Sequence, residues 1–434
     1  MGATRKLLVV QAAGLGFDLL RKRNLANANG LSFRPMPAPF PGLTCPAQAT
    51  IRTGLSPGRH GVPANGLWFD GLRRPLFWEQ SCRLVEGPRV WDDLRRRGGR
   101  VAILFWQQSL GENVDMLLSP MPVHKHHGGM IESMYSRPAG LYDDICATVG
   151  RRFKLARYWG PMASPSSSRW IAEATAALMR NREAPDLCFT YLPALDYDLQ
   201  RHGPEGRHVD RALASLMGDI RIILESAKDG REVLIFGDYA IGPVEPGGVT
   251  YPNLLLRRSG WFRTRLVQGM LYPDFHASVA FAVVDHELAF IHVDDDSLAG
   301  DIGGTLAKSP GVARVMQSAE LAAAGLKHSR CGSLLAVAKP GHWFAYPWWE
   351  PHERSPDYAA HVDIHNKPGY DPAELFWGWP PFTVSRNPGR IRGSHGRGGD
   401  DRCVAWAATP GLGAIEADSL AGLGVWLRGW CGSV

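Results

Sequence analysis

Four stretches of the chain are almost entirely apolar, and segments with helical spacing separate them. They lie at residues 6–15, 100–106, 186–196 and 231–241. Their apolar positions are continuous rather than alternating, which is typical of strands that are buried on both faces of a parallel sheet. The pattern predicts an α/β fold in which helices cover both faces of a mostly parallel central sheet.

The pattern changes after residue 250. Residues 277–293 contain two strand-like runs, and a short helix and further short strands follow them. Beyond residue 360 come loops rich in Gly, Pro and Arg, then an apolar strand and a closing helix. We therefore expect a main α/β domain formed by residues 1–250 and 361–434, with a smaller α+β insertion or lid at 251–360.

The composition is that of a soluble globular protein with a modest positive charge. The chain of 434 residues is 45% apolar and 21% charged, and its formal net charge is +6. This charge suits a small phosphorylated or anionic substrate. The densest basic run, at 94–100, is typical of a solvated helix end, so we expect no nucleic-acid partner. No stretch approaches the roughly 18–20 apolar residues of a membrane span, and we expect no membrane partner.

The cysteines and the N-terminus bear on the compartment. Seven cysteines are scattered without a CxxC pair, which argues against a disulfide framework and against a structural zinc finger. The N-terminal apolar run follows two basic residues, as in a secretory signal, but it is short and leads into a Gly turn. A first strand is the better interpretation. We therefore expect a reducing, cytoplasmic location.

Thr44 stands directly before a helical segment in the stretch FPGLTCPAQATIRTGLSPGRHGV, residues 40–62. A hydroxyl in this position can cap the helix by accepting a hydrogen bond from a backbone N–H. The same helix start offers N–H groups and the positive end of a dipole to a phosphate, and a hydroxyl there can also act as a nucleophile. The local pattern alone leaves both roles open.

Two acids follow buried strands at equivalent positions. Asp196 lies in LPALDYDLQ and Asp238 in IFGDYAIGP. Sites in open α/β sheets form beyond the carboxyl ends of the strands, so we expect both acids close to Thr44. His395, in Gly-Ser-His-Gly, is a third candidate, because a His between glycines in an Arg-rich loop is either exposed or a ligand. Each acid alone is equally explained as a turn former or a cap.

These motifs together resemble those of the alkaline phosphatase superfamily, and most closely its type I phosphodiesterase/nucleotide pyrophosphatase branch. Residues 40–62 are similar to the nucleophile motif of that family, with Thr44 at the nucleophile. Asp196, Asp238 and His395 fall on three of its metal-ligand positions, in the right order. The resemblance implies an alkaline-phosphatase-like fold. It also implies a metal-dependent phosphoryl hydrolase that acts on a phosphodiester, pyrophosphate or phosphomonoester.

Four positions depart from the family pattern. Ala13 stands where the family has a metal-binding Asp, and Gln200 and Tyr239 stand where it has metal-binding histidines. Ala47 replaces an Asn that holds a phosphate oxygen in the family. Because three of the usual protein ligands remain, we expect a divalent metal, zinc or manganese, at one site rather than two.

The segment HVDIHNKPGYD offers substitute ligands. His361, Asp363 and His365 alternate along it, and in an extended segment their side chains would point to one face. We expect His365 and Asp363 to lie at a vacated ligand position and to complete the metal site. Asp285 and His286 are further candidates. For each of these residues, a solvated or hydrogen-bonded side chain is the alternative.

The other predicted contacts are with the substrate. Backbone N–H groups after Thr44 would hold a nonbridging phosphoryl oxygen. Arg52 or Arg59 would replace part of the lost positive charge, and Asn65 would contact the substrate. Two alternatives to a phosphoryl hydrolase stay open. One is a degenerate member that binds an anionic ligand or a partner protein without hydrolysis, and the other is an enzyme that acts on a non-phosphate ester through Thr44. The sequence does not predict the oligomeric state.

Overall fold

The computed structural model describes residues 6–126, 129–181, 183–228 and 230–433. The predicted alternation of strands and helices forms an eight-stranded sheet, which we call the large sheet. Its strands, from one edge to the other, are Met134–Arg137, Met116–Pro120, Val101–Leu104, Leu187–Leu192, Lys6–Ala12, Arg231–Gly237, Gly399–Ala408 and Arg34–Ala38.

The centre of the large sheet is parallel. Strand Lys6–Ala12 pairs in parallel with Leu187–Leu192 on one side and with Arg231–Gly237 on the other. The antiparallel pairings lie further out, at Met134–Arg137 and at Gly399–Ala408. Residues Leu7–Val10 of the first strand are fully buried, as a continuous apolar run predicts for a strand covered on both faces. The predicted mostly parallel central sheet is confirmed.

Helices cover the large sheet, and the helix that begins at Thr44 is the most important for function. All ten residues of this Thr44 helix are buried, and the closing helix of the chain packs on it. No helix within the described ranges combines the length and the apolar character that a membrane crossing requires. The α-helices of these ranges are Phe17–Arg21, Thr44–Thr53, Pro57–His60, Asp92–Arg96, Leu141–Val149, Ser166–Met179, Ala194–His202, Arg207–Ser226, Pro252–Arg258, Ala299–Ala307, Ser318–Ala323 and Leu420–Ser433.

A second, antiparallel sheet of four strands, the small sheet, has its own apolar core. Leu43 and Phe77, from the first part of the chain, belong to this core, so the small sheet packs back towards the Thr44 helix. Its strands fall within the predicted insertion at 251–360, whose boundaries stay a prediction. In order across the sheet they are Ala280–Asp285, Leu288–Val293, Leu334–Ala338 and Val312–Met316.

Shorter strands complete the described part of the fold. They form four two-stranded pairs and one three-stranded sheet. The pairs are Asn27–Ala28 with Leu31–Ser32, Gly66–Phe69 with Arg74–Phe77, Val123–His124 with Met130–Ile131, and Arg263–Val267 with Met270–Asp274. The three-stranded sheet consists of Gly341–Phe344, Gly242–Thr250 and Gly393–Ser394.

Candidate active site

A pocket of about 510 Å³ takes its lining from loops of both sheets. Thr44 and Asp196 reach it from the large sheet, and His286 reaches it from the turn between the first two strands of the small sheet. The pocket brings together six of the residues that the sequence predicts for the site. These are Thr44, Asn65, Asp196, Asp363, His365 and His395.

Thr44 is the first residue of its helix rather than the cap. The N-cap is Leu43, which has no side-chain oxygen. The Thr44 hydroxyl is buried and lies 3.5 Å from the Tyr239 hydroxyl. The Thr44 hydroxyl therefore does not cap the helix, and its neighbour is another hydroxyl of the pocket.

The start of the Thr44 helix leaves one backbone donor for a ligand. The Ala47 N–H donates to the carbonyl of the preceding turn at 3.0 Å, and Pro46 has no N–H. The Cys45 N–H donates to Asn65 Oδ1 at 3.0 Å. Asn65 was predicted to contact the substrate, and this hydrogen bond already occupies its amide oxygen. Within the described ranges, the Thr44 N–H is the one donor of this first turn without an acceptor. It is available to an anionic or carbonyl oxygen.

Asp196 lies in the first turn of helix Ala194–His202, directly after a central strand of the large sheet. One carboxylate oxygen, Oδ2, accepts a hydrogen bond from Gln200 Nε2 at 2.6 Å. The other, Oδ1, is buried without a partner and lies 3.7 Å from His395 Nε2. Burial raises the pKa of the Asp196 carboxyl to about 7.

Asp238 faces the interior rather than the pocket. Its Oδ2 accepts a hydrogen bond from Gln11 Nε2 at 2.5 Å, and its Oδ1 accepts one from the Gly14 N–H at 3.1 Å. It is fully buried and does not line the pocket. Burial raises the pKa of the Asp238 carboxyl to about 8. Both oxygens are thus occupied by groups of the first strand and its turn.

Four rings stack along the pocket wall, and we call them the ring column. Tyr239 lies parallel to His395 with the ring centroids 3.5 Å apart. His286 lies 3.7 Å from His395 on its other side, and Tyr370 lies 3.8 Å from His286. Two of these rings come from loops of the large sheet, and His286 comes from the small sheet. The column therefore joins the two sheets at the site.

Both histidines of the ring column are neutral acceptors. His395 Nδ1 lies 2.8 Å from the Gly42 carbonyl, and His286 Nδ1 lies 2.7 Å from Asp285 Oδ1. Nδ1–H is the donor in each contact, because the carbonyl and the carboxylate can only accept, so Nε2 is the acceptor of each ring. Burial holds the pKa of both imidazoles well below its usual range. Both Nε2 atoms are buried without a partner.

Three unpartnered polar atoms therefore face a pocket without a basic side chain. They are Asp196 Oδ1, His286 Nε2 and His395 Nε2. No Lys or Arg is among the described residues that line the pocket, and much of its wall consists of aromatic and aliphatic side chains. Buried polar atoms of this kind normally meet a ligand or a water molecule. These three atoms are therefore available to a ligand or to water beside an apolar wall.

The two predicted substrate-binding arginines are not in the pocket. Arg52 is fully buried, and its guanidinium donates to the carbonyls of Gln107 and Gln108 and pairs with Glu112 at 3.4 Å. Internal partners thus occupy the Arg52 guanidinium, and the structure does not place it where the predicted substrate contact would need it. Arg59 is exposed and lies outside the pocket lining, so it does not supply the missing charge either.

Asp363 and His365 line the pocket, but not in the way that their alternation predicts. The segment turns instead of extending, because the Asp363 carboxylate accepts hydrogen bonds from the N–H and the side-chain amide of Asn366. His365 Nδ1 lies 3.1 Å from the Phe77 carbonyl. The position that they were expected to fill is taken by Gln200 itself, whose amide bonds Asp196 and, at 3.0 Å, the Tyr370 hydroxyl.

The resemblance implies a divalent metal, and the arrangement of these side chains tests that implication. Gln11 and Gly14 occupy the oxygens of Asp238, and Gln200 occupies one oxygen of Asp196. In the part of the chain that the structure describes, no three His, Cys, Asp or Glu side chains are grouped in a way that could hold a metal ion. As these side chains stand, they do not assemble the zinc or manganese site, and metal dependence stays a prediction.

A buried ion cluster beside the pocket has no counterpart in the sequence-based predictions. Lys367 Nζ lies 2.8 Å from Asp371 and 2.7 Å from Glu374, and all three side chains are buried. Glu374 also accepts hydrogen bonds from the Asp363 N–H and the Trp159 indole. The cluster thus anchors the loop that carries Asp363 into the pocket. Its only sequence signal is a Lys followed by acids four and seven positions later, which is common on exposed surfaces.

Three buried acids, Asp196, Asp238 and Asp285, give a pH dependence of stability, because burial raises the pKa of their carboxyls to about 7, about 8 and about 7. An Asp in the unfolded chain has a pKa of about 3.9, so near neutral pH the folded protein retains protons that the unfolded chain has released. Stability then falls as the pH rises through the folded pKa values. Between about pH 7 and pH 8.5 we expect these acids to lower the free energy of unfolding in urea by about 1–2 kcal/mol.

The choice of pH range separates the acids from the buried histidines, because imidazoles of the unfolded chain are largely neutral above about pH 7. Buried thiols such as those of Cys188 and Cys331, whose pKa burial raises to about 12, add to the slope, so the Asp238 contribution is measured as a difference. Asp238→Asn should lower the slope relative to the unaltered protein. The exposed Asp18→Asn is the matched control and should retain it. A stability that rises over the same range would show that these carboxyls are ionised in the folded protein.

Comparisons with known proteins agree with this architecture. The profile of the family described as Type I phosphodiesterase / nucleotide pyrophosphatase matches residues 7–371. No curated protein matches the chain. Phosphonoacetate hydrolase from Sinorhizobium meliloti 1021, solved in complex with phosphonoformate, has a similar fold. Its TM-score is 0.64 and its identity 14%, over 99% of this chain and 96% of that one.

A second group of similar structures comes from animals. Murine ectonucleotide pyrophosphatase / phosphodiesterase 5 has a TM-score of 0.58 and 15% identity, over 98% of this chain and 95% of that one. An inactive threonine-to-alanine variant of the murine protein, in complex with AMP, matches with the same TM-score and 14% identity, at the same coverage. At these identities the likeness concerns the fold, and the predicted alkaline-phosphatase-like fold is confirmed.

Proposed function

This chain belongs to the type I phosphodiesterase/nucleotide pyrophosphatase family, and we propose that it is a phosphoryl hydrolase with Thr44 as its nucleophile. Its substrate is a small phosphate ester or pyrophosphate that binds in the pocket. The observation that carries the proposal is the position of Thr44, which lines the pocket at the start of a buried helix with an unpaired N–H beside its hydroxyl. The inactive threonine-to-alanine variant of the murine relative supports it by analogy.

Each step of the reaction has a residue of this chain. Thr44 Oγ1 attacks phosphorus while the P–O bond to the leaving alcohol or phosphate breaks, and water then attacks the covalent phosphoryl-enzyme, releases the phosphoryl group and restores the Thr44 hydroxyl. The Thr44 N–H holds one nonbridging oxygen. Asp196 Oδ1 donates to a second oxygen when the carboxyl carries its proton, the form that burial favours. The unpartnered His395 Nε2 carries the proton that leaves Thr44 only transiently, since burial disfavours the charged imidazole, and the proton ends on the leaving oxygen. Because the described side chains do not assemble a metal site as they stand, no zinc or manganese step enters this proposal.

Trapping of the covalent intermediate tests the proposal. After treatment with a chelator, the protein is incubated with bis(4-nitrophenyl) phosphate. We expect release of 4-nitrophenol and a phosphoryl adduct on the peptide that contains Thr44, identified by mass spectrometry. Added zinc or manganese should change the rate by less than about threefold, since the described side chains group into no metal site.

Two outcomes would contradict parts of the proposal separately. A rate that appears only when metal is added would overturn the metal-free step but keep Thr44 as the nucleophile. If neither 4-nitrophenol nor an adduct appears with or without metal, the hydrolase proposal fails as a whole.

The second candidate is a member of the family that binds a ligand without hydrolysis. The observation that favours it is the set of three unpartnered polar atoms in a pocket without Lys or Arg. Such a site suits an aromatic or aliphatic compound with an amine or hydroxyl, and it is unsuited to an anion. Thermal shift measurements with an aromatic amine and the matched aromatic carboxylate distinguish the candidates, because only the amine should stabilise a binder of this kind.

A further inference from the structure

The mouth of the pocket is apolar and exposed. Phe382 is 92% exposed and Trp379 is 81% exposed, although both are large aromatic side chains. Five of the exposed large apolar residues line the pocket, and four more lie within two positions of a lining residue. We call these nine residues the rim, and they are Met121, Val123, Met130, Ile131, Met162, Val362, Trp377, Trp379 and Phe382.

The exposed large apolar side chains are concentrated at the pocket rather than spread over the surface. Single exposed apolar side chains are ordinary on protein surfaces and need no explanation. Here nine of the thirteen large exposed ones in the described ranges line the pocket or lie within two positions of a lining residue, and Leu72, Leu266, Val267 and Val425 do not. Exposed apolar side chains that gather at one pocket are typical of an interaction site.

Two arginines are hydrogen-bonded to the main chain of rim residues. Arg390 donates to the Trp377 carbonyl at 2.9 Å, and Arg157 donates to the Met162 carbonyl at 3.3 Å. Both are exposed, and neither forms an ion pair within the described ranges. Glu132, which also lines the pocket, is an exposed acid in the same region. Exposed basic groups thus stand next to aromatic and methionine side chains at the pocket mouth.

We propose that the rim docks on an anionic lipid surface, so that the pocket opens towards the membrane. Aromatic side chains such as those of Trp379 and Phe382 are favoured at the boundary between headgroups and acyl chains. Arg157 and Arg390 are attracted by anionic headgroups. This contact is peripheral and needs no spanning helix, and the proposal departs in this respect from the expectation of no membrane partner.

Charge also decides between a lipid surface and a second copy of the chain. If two copies met through their rims, each copy would bring the two exposed bases Arg157 and Arg390 and the one exposed acid Glu132, so the joined patches would carry an excess of positive charge. Like charges that are brought together in this way oppose association. An anionic bilayer attracts the same basic groups instead of repelling them. The combination of apolar and basic groups at the rim therefore suits an anionic lipid surface better than a second copy of the chain.

Sedimentation with vesicles tests the docking. The full chain should bind vesicles made of equal parts phosphatidylcholine and phosphatidylglycerol, and it should bind pure phosphatidylcholine much less. The double variant Trp379→Ser/Phe382→Ser should weaken vesicle binding at least about tenfold. Serine lacks the apolar surface that each aromatic ring would bury among the lipids. Added salt should weaken the binding of the unaltered protein, since it screens the arginines.

The control variant is Leu266→Ser/Val267→Ser. These residues are 71% and 43% exposed, but they lie outside the pocket lining. This variant should bind vesicles as the unaltered protein does. Thr44→Ala should also bind as before, which makes the docking independent of the hydrolase proposal. Thermal melting of each variant checks that its fold is intact.

Three results would overturn the docking. The first is the absence of binding of the unaltered protein to the anionic vesicles. The second is an equal loss of binding in the control variant and in Trp379→Ser/Phe382→Ser. The third is a dimer in size-exclusion chromatography that Trp379→Ser/Phe382→Ser converts to a monomer, because the rim would then be covered by a second copy of the chain.

Discussion

Thr44→Ala is expected to lower kcat/KM for an aryl phosphodiester by roughly a thousandfold or more. The variant loses the oxygen that forms the covalent intermediate, and no other hydroxyl occupies the first position of the helix. The free energy of unfolding should change by less than about 1 kcal/mol, because the hydroxyl makes only a long contact of 3.5 Å with Tyr239. Thr44→Ser keeps the oxygen and should retain a measurable part of the rate.

Thr53→Ala is the matched control for this prediction. Thr53 lies at the other end of the same helix, is equally buried, and donates its hydroxyl to the Ala49 carbonyl. Its replacement should cost about 1 kcal/mol of stability and leave kcat/KM within about threefold. Equal losses of kcat/KM in the two variants would mean that Thr44→Ala lowers the rate by disturbing the helix and not by removing the nucleophile. An unchanged rate in Thr44→Ala would exclude it as the nucleophile.

Lys367→Met should lower the free energy of unfolding by about 3–5 kcal/mol, measured by urea denaturation. The change removes the cation from a cluster in which two carboxylates, Asp371 and Glu374, are almost completely buried. The remaining like charges would lie close together in a medium that solvates them poorly. Because Glu374 also holds the Asp363 backbone, we expect weaker substrate binding, with KM affected more than kcat.

Two further variants control this prediction. Lys308→Met, at an exposed helix end, should change stability by about 0.5 kcal/mol or less. Lys367→Met/Asp371→Asn/Glu374→Gln removes the charges together and should recover part of the loss, since the penalty comes from unpaired charge rather than from the missing lysine itself. A loss below about 1 kcal/mol in Lys367→Met would show that the cluster is hydrated.

The fold was predictable because its signal lies in consecutive residues. A strand that is buried on both faces must be apolar at every position, and Leu7–Val10 show this directly. The start of the Thr44 helix is also a local property, set by the Pro-Gly turn before it and the Gly after it. Local patterns of this kind do not depend on how distant parts of the chain meet.

The partners within the site were not predictable for the opposite reason. Gln11 and Asp238 are 227 positions apart, and no periodicity connects them. Arg52 lies in a helix whose every residue is buried, so charge alone was a poor guide to exposure. The alternation at residues 361–365 failed because one Asp363–Asn366 contact turns the chain where an extended strand was expected. Long-range contacts and single side-chain turns decide such cases.

The hydrogen bonds around the remaining acids also bear on how a metal site could be built here. Gln200→His would remove an amide that both Asp196 and Tyr370 use, and Tyr239→His would remove the phenol beside Thr44. Each substitution alone breaks an existing contact before a complete set of metal ligands is present to compensate. We therefore expect the effects of these substitutions to be non-additive, so that each costs more stability alone than in a variant that carries all of the missing ligands.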